Sequence, residues 1–396
     1  MNVPRRLDFD WAATAPLRDV ARDALLAGLD AGIGNASSLH EPGRRARALL
    51  TAARRAIANA FAAERDDALF TGNGSEANLL ALAGATLALP RERRHVLVAP
   101  IEHPSVLEPL AALAKAGEIA LEHLAVDGGG RVDPEAVAAR IRPDTGLVSV
   151  ALANHELGTI QPVARIAALA RARGVLVHSD AAQAVGKLPV TLDALGVDLL
   201  TASAHKFGGP RGVGIVVRRP GVALHSPLSS GRQEGGLRGG TEDVAACSAA
   251  AAALGAAVAD QPALAARLAA LTDLLRRELR RRLPDVTFHS PERDALPGLL
   301  NASWPDLSGA WLVAALDQRG VSASHGAACS SLAALPSHVL EGVGAGERAR
   351  NAVRLSMGWS TSREDVVELV ERLRDAVAAL RDAALFSPSQ NRGNSV

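Results

Sequence analysis

Residues 175–219, with the sequence VLVHSDAAQAVGKLPVTLDALGVDLLTASAHKFGGPRGVGIVVRR, decide the fold class. Three short runs rich in Val, Leu and Ile predict β-strands here, at 175–179, 198–203 and 212–219. Asp180 directly follows the first run, and Lys206 closely follows the second. In an open α/β sheet, ligands bind outside the carboxyl ends of parallel strands. We therefore predict that Asp180 and Lys206 lie together at a ligand-binding edge of a sheet.

The alternation of strand and helix patterns extends from about residue 60 to about residue 220. Further strands are predicted at 68–72, 95–100 and 146–152, with helices at 75–89, 104–116 and 166–174. Strands that alternate with helices are typical of βαβ units, whose helices cover both faces of the sheet. We predict an α/β fold with a mostly parallel central sheet and helices on both of its faces.

The pattern changes after about residue 225. A glycine-rich stretch at 231–243 leads into a long helical region that ends near Leu283. Shorter strand patterns and a last helix follow, at 299–305, 320–326, 352–358 and about 362–382. This mixture predicts a smaller α+β domain at the C-terminus. We place the large domain at 14–260 and the small domain at 261–396, joined by the N-terminal segment 1–13.

Composition and charge exclude several classes of protein. The 43 Lys and Arg residues against 42 Asp and Glu residues leave a net charge of +1, without the basic excess that nucleic-acid binding needs. The longest apolar run, 244–259, is shorter than the ~20 residues that span a membrane. Two cysteines cannot form a disulfide framework, which favours a reducing, cytoplasmic location. The 11 histidines occur without metal-ligand spacing, so we predict no metal site.

Lys206 and Asp180 together indicate chemistry with a carbonyl cofactor. Burial lowers the pKa of a lysine, and the neutral amine can form a Schiff base. A carboxylate that faces a pyridine nitrogen stabilises the pyridinium form, which makes pyridoxal 5'-phosphate (PLP) an electron sink. A lysine after a strand is more often a surface residue, but the nearby Gln183, Ser203 and His205 strengthen the functional interpretation.

Three further segments hold candidate residues. In FTGNGSEANLLAL, Gly74 and Ser75 open a predicted helix whose N-terminus can bind phosphate, although Ser75 is equally consistent with an ordinary helix cap. His103 follows a strand, and it is placed either to stack on a cofactor and transfer protons or to fill the core. Cys329 lies among small residues in SHGAACSSLAALP and could expose a reactive thiol. Cys247 lies among apolar residues and is expected to be inert.

Ten segments of the chain stand in the order and approximate spacing of one known family. They are FDWAATAP, GNASSLHEPGR, TGNGSEAN, EHPSV, ANHELGTIQP, HSDAAQAVGKLP, SAHKFGGPRGVG, LRGGTEDV, SHGAACSS and VRLSMG. This set resembles the NifS/IscS-type cysteine desulfurases, over about residues 7–383. Those enzymes are PLP-dependent members of the class V aminotransferase group. The resemblance therefore implies PLP fold type I and PLP as the cofactor.

The resemblance also implies a role for each matching residue. Lys206 would carry PLP as a Schiff base and exchange the Cα proton of the substrate, and Cys329 would be the nucleophile that becomes a persulfide. His103 would stack on the PLP ring and share in catalysis. The residues implied to bind the cofactor are Gly74, Ser75, His155, Asp180, Gln183, Ser203, His205, Lys206 and Thr241, and those implied to bind the substrate are Asn154 and Arg354.

Within the implied cofactor site, Asp180 would pair with the pyridinium and Gln183 with the ring hydroxyl. Thr241 resembles the residue that reaches the phosphate in the neighbouring subunit, which implies a homodimer with shared sites. The activity implied is the conversion of L-cysteine to L-alanine, with sulfur moved to Cys329 and on to an acceptor protein. The acceptor would serve iron–sulfur cluster assembly or thio-cofactor biosynthesis.

Two of the departures from the family pattern bear on function. His155 stands where the family usually has Asn, which changes the contact with the cofactor hydroxyl and the substrate. The tail at 386–396 does not resemble the segment that docks the scaffold partner in IscS-type members, so the acceptor stays open. Two alternatives also stay open. A selenocysteine lyase or another class V enzyme would use Lys206 without Cys329, and a non-catalytic protein on the same fold would bind no PLP.

Overall fold

The structure, a computed structural model, describes residues 5–326 and 336–386. Its strands are β1 (Leu7–Asp8), β2 (Ala68–Thr71), β3 (His95–Val98), β4 (Ala120–His123), β5 (Thr145–Ser149), β6 (Leu176–Asp180), β7 (Leu199–Ser203), β8 (Gly214–Arg218), β9 (Thr287–Phe288), β10 (Leu299–Ser303), β11 (Val321–Ser322) and β12 (Ala352–Ser356). Its helices are α1 (Asp19–Asp30), α2 (Glu41–Phe61), α3 (Gly74–Ala88), α4 (Pro104–Lys115), α5 (Pro134–Arg140), α6 (Val163–Arg171), α7 (Leu192–Leu195), α8 (Val244–Arg282), α9 (Gly309–Gln318), α10 (His338–Gly342) and α11 (Arg363–Phe386).

The central sheet has seven strands in the order β2-β8-β7-β6-β5-β3-β4. The pairs β4-β3, β3-β5, β5-β6 and β6-β7 are parallel, whereas β8 runs antiparallel to both of its neighbours, β7 and β2. A parallel neighbour needs a crossover of about a dozen residues or more, and only the short segment Ala204–Val213 joins β7 to β8. The prediction of a mostly parallel sheet is confirmed, and β8 departs from it for this reason.

Helices cover both faces of the central sheet because its inner strands are apolar along their whole length. Every residue of β3, β5 and β7 is buried. Alternate residues of β3 join different clusters, since Val96 and Val98 pack with Leu82 of α3 and with α4. Leu97 instead packs in the cluster that includes Phe61 of α2 and residues of α6 and α8. The predicted helical layers on both faces are therefore confirmed.

A second hydrophobic core lies beyond the central sheet. It is built on the antiparallel sheet β12-β10-β9, with α9, α11 and the C-terminal half of α8 packed against it. Trp304 and Leu373 are among its fully buried side chains. β1 pairs with β11, so residues close to the N-terminus join this second unit. The domain boundaries given above, 14–260 and 261–396, stay predictions.

Helix α8 connects the two cores. Its residues up to Ala257 join the core of the central sheet, and those from Leu264 onward join the second core. By length and composition, this 39-residue helix is apolar enough to cross a membrane. The run 244–259, considered alone, is too short to indicate such a helix. Its packing against α1, α2 and α11 accounts for that apolar composition.

Candidate active site

A cavity of about 400 Å³ opens where β6 and β7 end. The N-terminal segment, the start of α3, the loops after β3 and β5, and strand β12 complete its walls. Its lining includes the sequence-predicted residues Gly74, Ser75, His103, His155, Asp180, Gln183, Ser203, His205, Lys206 and Arg354. The fold thus brings into one cavity residues from both of its hydrophobic units.

Lys206 reaches the cavity from a short turn after β7. The strand ends at Ser203, and Ala204–Lys206 form one 3₁₀ turn. The amine Nζ of Lys206 donates hydrogen bonds to the carbonyls of Ala12 (2.6 Å) and Ala13 (2.9 Å). These contacts hold the amine between the N-terminal segment and the edge of the sheet.

Asp180 is the last residue of β6, and its carboxylate is held from two sides. Oδ1 accepts a hydrogen bond from the backbone N–H of Ala182 (2.8 Å), and Oδ2 accepts one from Nδ2 of Asn78 (2.9 Å). Both oxygens are therefore fixed in orientation while the side chain lines the cavity. The strand end and helix α3 together position this carboxylate.

Asn78 is a buried residue of α3 that the sequence analysis does not single out. Its Nδ2 also donates to Oγ of Ser105 (2.9 Å), and its Oδ1 accepts from Oγ1 of Thr201 (2.5 Å). His178 continues the network through a 3.1 Å contact between Nε2 and Oγ1 of Thr201. Burial lowers the pKa of His178 to about 4. The histidine is therefore neutral, and it is linked to Asp180 only indirectly, through the hydrogen bonds of Thr201 and Asn78.

The start of α3 lies against the end of β7. A Cβ atom on Gly74 would lie only 2.8 Å from Cβ of Ser203, so this close approach requires glycine. Asn73 caps the helix by accepting a hydrogen bond from the backbone N–H of Glu76. The first backbone N–H groups of a helix attract anions, and the hydroxyls of Ser75 and Ser203 line the same cavity. This corner suits a phosphate group.

His205 stands beside that corner as a neutral group. Its Nδ1 lies 3.0 Å from Oγ1 of Thr14. Burial, followed by the positive charges of Lys206 and Arg211, lowers the pKa of His205 to about 4. The ring therefore offers a hydrogen bond and not a positive charge to a ligand.

Arg354 enters the cavity from β12 and is only 2% exposed. Its guanidinium donates to Oδ1 of Asp10 (3.0 Å) and to the carbonyl of His155 (2.9 Å). Its Nε has no hydrogen-bond partner among the residues that the structure describes. A guanidinium has five N–H donors, so the side chain retains donors for an incoming carboxylate.

Two imidazole rings, those of His103 and His155, meet edge to face with their centres 5.2 Å apart. His103 caps α4, because its Nδ1 accepts a hydrogen bond from the backbone N–H of Ser105 (3.1 Å). Burial is the largest cause that lowers the pKa of both histidines below the ordinary value. Both rings are therefore neutral at pH 7.

Of the predicted site residues that the structure describes, Asn154 and Thr241 do not line this cavity. The amide of Asn154 donates to the carbonyl of Ile101 (2.9 Å) and accepts two backbone N–H groups of the following turn. These contacts support the turn, and a contact between Asn154 and the substrate stays a prediction. Thr241 is exposed and lines a separate cavity of about 80 Å³. Cys329 lies outside the described residues.

The cavity residues fit a cofactor that has a phosphate, a ring nitrogen and a ring hydroxyl. Ser75 and Ser203 can hold the phosphate, and Asp180 can face a protonated ring nitrogen. Nε2 of Gln183 donates to the carbonyl of Ala12 (2.9 Å), whereas its buried Oε1 has no partner within residues 5–326 and 336–386. A buried amide oxygen of this kind needs a donor such as a ring hydroxyl. The volume of about 400 Å³ also suits a small ligand.

Comparisons with known proteins agree with this geometry. The model of the class V aminotransferase family matches residues 8–369. The chain is 38% identical to "Cysteine desulfurase IscS" of Dictyoglomus turgidum over 380 residues, which cover 96% of each protein. It is 37% identical to "Cysteine desulfurase IscS 1" of Archaeoglobus fulgidus over 374 residues, which cover 94% of this chain and 97% of that protein.

Solved structures give the same result. A structure described as a NifS-like protein superposes with a TM-score of 0.88 at 30% identity, covering 94% of this chain and all of that one. A structure described as SspA in complex with cysteine superposes with a TM-score of 0.76 at 28% identity, covering 89% of this chain and 99% of that one. The expected fold type is confirmed, and the chain belongs to the class V aminotransferase family and, within it, to the NifS/IscS-type cysteine desulfurases.

Proposed function

We propose that the protein is a PLP-dependent cysteine desulfurase, which converts L-cysteine to L-alanine and transfers the sulfur to Cys329 as a persulfide. One observation carries the proposal: Lys206, Asp180 and Arg354 line the same cavity. An amine for a Schiff base, a carboxylate for a ring nitrogen and a guanidinium for a substrate carboxylate therefore meet there. Family membership and the resemblance of the segment around Cys329 support cysteine as the substrate.

PLP would be held by groups from several elements of the fold. The N-terminus of α3, with Gly74 and Ser75, would bind the phosphate together with Ser203 at the end of β7 and His205 in the turn that follows. Asp180 at the end of β6 would face the ring nitrogen. Gln183, His103 and His155 would contact the hydroxyl and the face of the ring, since all three line the cavity. The cofactor when bound supplies an electron sink for negative charge at the substrate Cα.

Lys206 has two tasks in this mechanism. Its amine would hold the cofactor covalently, and as a free amine it would move a proton to and from the substrate Cα. The carbonyls of Ala12 and Ala13 hold Nζ of Lys206 at the cavity edge, 2.6 Å and 2.9 Å away. The amine is thereby kept at the cavity in which the substrate would bind.

Arg354 orients the substrate. Its contacts with Asp10 and with the carbonyl of His155 fix the guanidinium plane while other N–H groups stay available. A bidentate bond to the substrate carboxylate then sets the position of the substrate Cα and its thiol.

The sulfur transfer balances without an external oxidant or reductant. The thiolate of Cys329 attacks the substrate sulfur, so that an S–S bond forms as the Cβ–S bond breaks. The electron pair of the broken bond stays on the substrate carbon, which takes a proton and gives alanine. The products are L-alanine and the Cys329 persulfide, whose outer sulfur can pass to the thiol of an acceptor protein.

The test is the formation of alanine and sulfide from L-cysteine in the presence of a reducing thiol. We expect Cys329→Ala and Lys206→Ala each to lower the rate by about 100-fold or more, because each removes a reacting group. Cys329→Ala should keep the PLP absorbance, and Lys206→Ala should lose the PLP that borohydride fixes to the wild-type chain. Cys247→Ala is the matched control, since burial raises the pKa of that thiol to about 12.

Each other outcome has a definite meaning. Unchanged alanine formation by Cys329→Ala would contradict a desulfurase and favour a selenocysteine lyase or another class V enzyme. A wild-type protein that binds no PLP would favour a non-catalytic role for the fold.

We further infer that the protein is a cytoplasmic homodimer in which Thr241 of one subunit reaches the cofactor phosphate of the other. The exposed position of Thr241, outside the main cavity of its own subunit, supports this arrangement. A reducing compartment suits the mechanism, because Cys329 must return to a free thiol after each sulfur transfer.

A further inference from the structure

Three histidine rings lie in a row beside the cavity. The ring of His155 is 5.2 Å from that of His103 and 6.3 Å from that of His338, and we call these three the histidine row. Nδ1 of His103 accepts the N–H of Ser105, and Nε2 of His338 lies 2.9 Å from the carbonyl oxygen of Glu102. In contrast, Nε2 of His155 is buried without a hydrogen-bond partner in the described part of the chain. The residue is only 8% exposed.

A carboxylate faces this unpartnered nitrogen. Oε1 of Glu156 lies 3.7 Å from Nε2 of His155 and is itself without a hydrogen bond to any described residue. The other oxygen, Oε2, accepts a hydrogen bond from Oγ of Ser337 (2.5 Å). Burial raises the pKa of Glu156 and lowers that of His155. A proton on His155 would convert the two unsatisfied atoms into a charged pair.

His155 is also tied to the group that binds the substrate carboxylate. Its backbone carbonyl accepts a hydrogen bond from the guanidinium of Arg354 (2.9 Å), so the guanidinium is anchored to the residue that carries the ring. The charged and titratable groups that surround the ring are His103, Glu156, Lys206, His338 and Arg354, with Asp10 bound to Arg354. Burial is the largest cause that disfavours a proton at His155, and the neighbouring groups that are or become cationic disfavour it further until an anion binds.

We propose that His155 takes up one proton when the carboxylate of the amino-acid substrate binds at Arg354, and that Glu156 holds the resulting imidazolium. The proton comes from solvent, an N–H bond forms at Nε2 of His155, and no other bond changes. The proposal depends on the proposed function only for the position of the substrate carboxylate. It gives His155 a role in specificity, because anionic ligands then bind better than neutral ones.

The sign of the pH dependence follows from this arrangement. The incoming negative charge raises the pKa of His155 in the complex above that in the free protein. Ligand affinity therefore increases as the pH falls through the higher pKa, and it levels off below the lower one. Between the two values the dissociation constant changes by up to about tenfold per pH unit, as expected for one proton. Above the higher pKa this group no longer affects binding.

Calorimetry of ligand binding to the PLP-loaded protein tests the proposal. The probe is 3-mercaptopropionate, which has the carboxylate and the thiol of cysteine but no amine to react with the cofactor. Titrations at one pH in PIPES, HEPES and Tris, whose ionisation enthalpies differ, give the number of protons taken up per ligand. We expect the wild type to take up protons, with a maximum of about one per ligand within the window between the two pKa values.

Variants of the protein identify the residue that takes up the proton. His155→Asn should abolish the proton uptake and the pH dependence of the dissociation constant, and Glu156→Gln should reduce both. His338→Asn is the matched control, because it removes a neighbouring imidazole of the histidine row and should leave the uptake in place. If His155→Asn does not fold, a titration of ¹³C-labelled histidine in the wild type takes its place. One histidine midpoint should then rise when the ligand is added.

Several results would overturn the proposal. These are equal proton uptake by wild type and His155→Asn, no uptake by wild type between about pH 5.5 and 8.5, no histidine midpoint that rises, or no binding of the probe. Proton-linked binding in a protein that forms no alanine from L-cysteine would retain this inference and contradict the proposed function. The two proposals can therefore fail separately.

Discussion

Asn78 shows how a single amide can organise the polar side of the cavity. Its Nδ2 donates to Asp180 and Ser105, and its Oδ1 accepts from Thr201. Ser105 in turn lies 2.8 Å from Nδ1 of His103, so the carboxylate and the imidazole that face a cofactor share one support. Because all of these groups are buried or half-buried, losing one partner leaves another without a hydrogen bond.

At this scale we predict that Asn78→Leu weakens both the fold and the cofactor site. The substitution keeps the side-chain size but removes the hydrogen-bond donor to Oδ2 of Asp180 and the acceptor for the hydroxyl of Thr201. We expect the free energy of unfolding to fall by about 1–3 kcal/mol, and the dissociation constant for PLP to rise by about tenfold. Denaturant unfolding and PLP titration by absorbance measure the two effects.

Thr86→Val in the same helix is the control for Asn78→Leu. Thr86 is fully buried, and its hydroxyl donates to the carbonyl of Leu82 (2.7 Å), away from the cavity. It should change stability without changing PLP affinity. If Asn78→Leu leaves the PLP affinity at the wild-type value, the network does not support the cofactor carboxylate.

At the scale of elements, the site depends on the close contact between the start of α3 and the end of β7. The contact is possible because Gly74 has no side chain to meet Ser203. The phosphate corner is therefore formed by two elements that pack directly on each other. A shift of either element would move the helix N–H groups away from the two hydroxyls.

Gly74→Ala tests this contact. The added Cβ would lie 2.8 Å from Cβ of Ser203, so one element must move. We expect a loss of about 1–3 kcal/mol in the free energy of unfolding and at least a tenfold rise in the dissociation constant for PLP. The double variant Gly74→Ala/Ser203→Gly should recover part of the stability, because the opposing Cβ is then absent.

Gly84→Ala is the matched control in the same helix. Its Cβ would meet Leu224 at 3.4 Å, an ordinary contact, so stability should stay the same or rise by up to about 1 kcal/mol. PLP affinity should not change. Equal effects of Gly74→Ala and Gly84→Ala on PLP binding would contradict the importance of the contact between α3 and β7.

The sequence predicts the elements of this fold better than their directions. Inner strands such as β3 and β7 are readable because burial on both faces requires continuous apolar runs. The edge strand β4 is not recognisable from the sequence, because its residues, ALEH, are partly exposed and include two charged or titratable side chains. The antiparallel direction of β8 follows from the length of a loop, which apolar patterns do not report.

The residues of the candidate site also differ in how well the sequence predicts them. Lys206 and Asp180 are predictable because each follows a strand at the ligand-binding end of the sheet. Asn78 is harder to recognise, although a polar residue on the buried face of an Ala- and Leu-rich helix is a usable signal. The hydrogen bonds from Lys206 to Ala12 and Ala13 cannot be predicted from the residue types, because backbone carbonyls accept them.

At the scale of the whole molecule, several large apolar side chains are exposed in the part of the chain that the structure describes. Leu26 and Leu29 on α1 and Leu39 in the following loop are exposed, the last by 82%. Exposed apolar side chains that lie on neighbouring elements are typical of surfaces covered by another protein chain. Together with the exposed Thr241, they support the inferred homodimer with shared sites.

Mixed dimers give the sharpest test of shared sites, because two defects in different subunits should leave one site intact. We combine a Thr241→Ala subunit with a Lys206→Ala subunit and purify the mixed dimer through two different affinity tags. If Thr241 serves the partner, the site with the intact Lys206 also receives an intact Thr241. The mixed dimer should then bind one PLP per two chains with wild-type affinity. The Thr241→Ala homodimer should bind PLP about tenfold more weakly, as expected for a lost hydrogen bond to a charged phosphate. If Thr241 instead serves its own subunit, the mixed dimer will show only the weakened affinity. If light scattering shows that the protein is a monomer, the arrangement with shared sites is wrong.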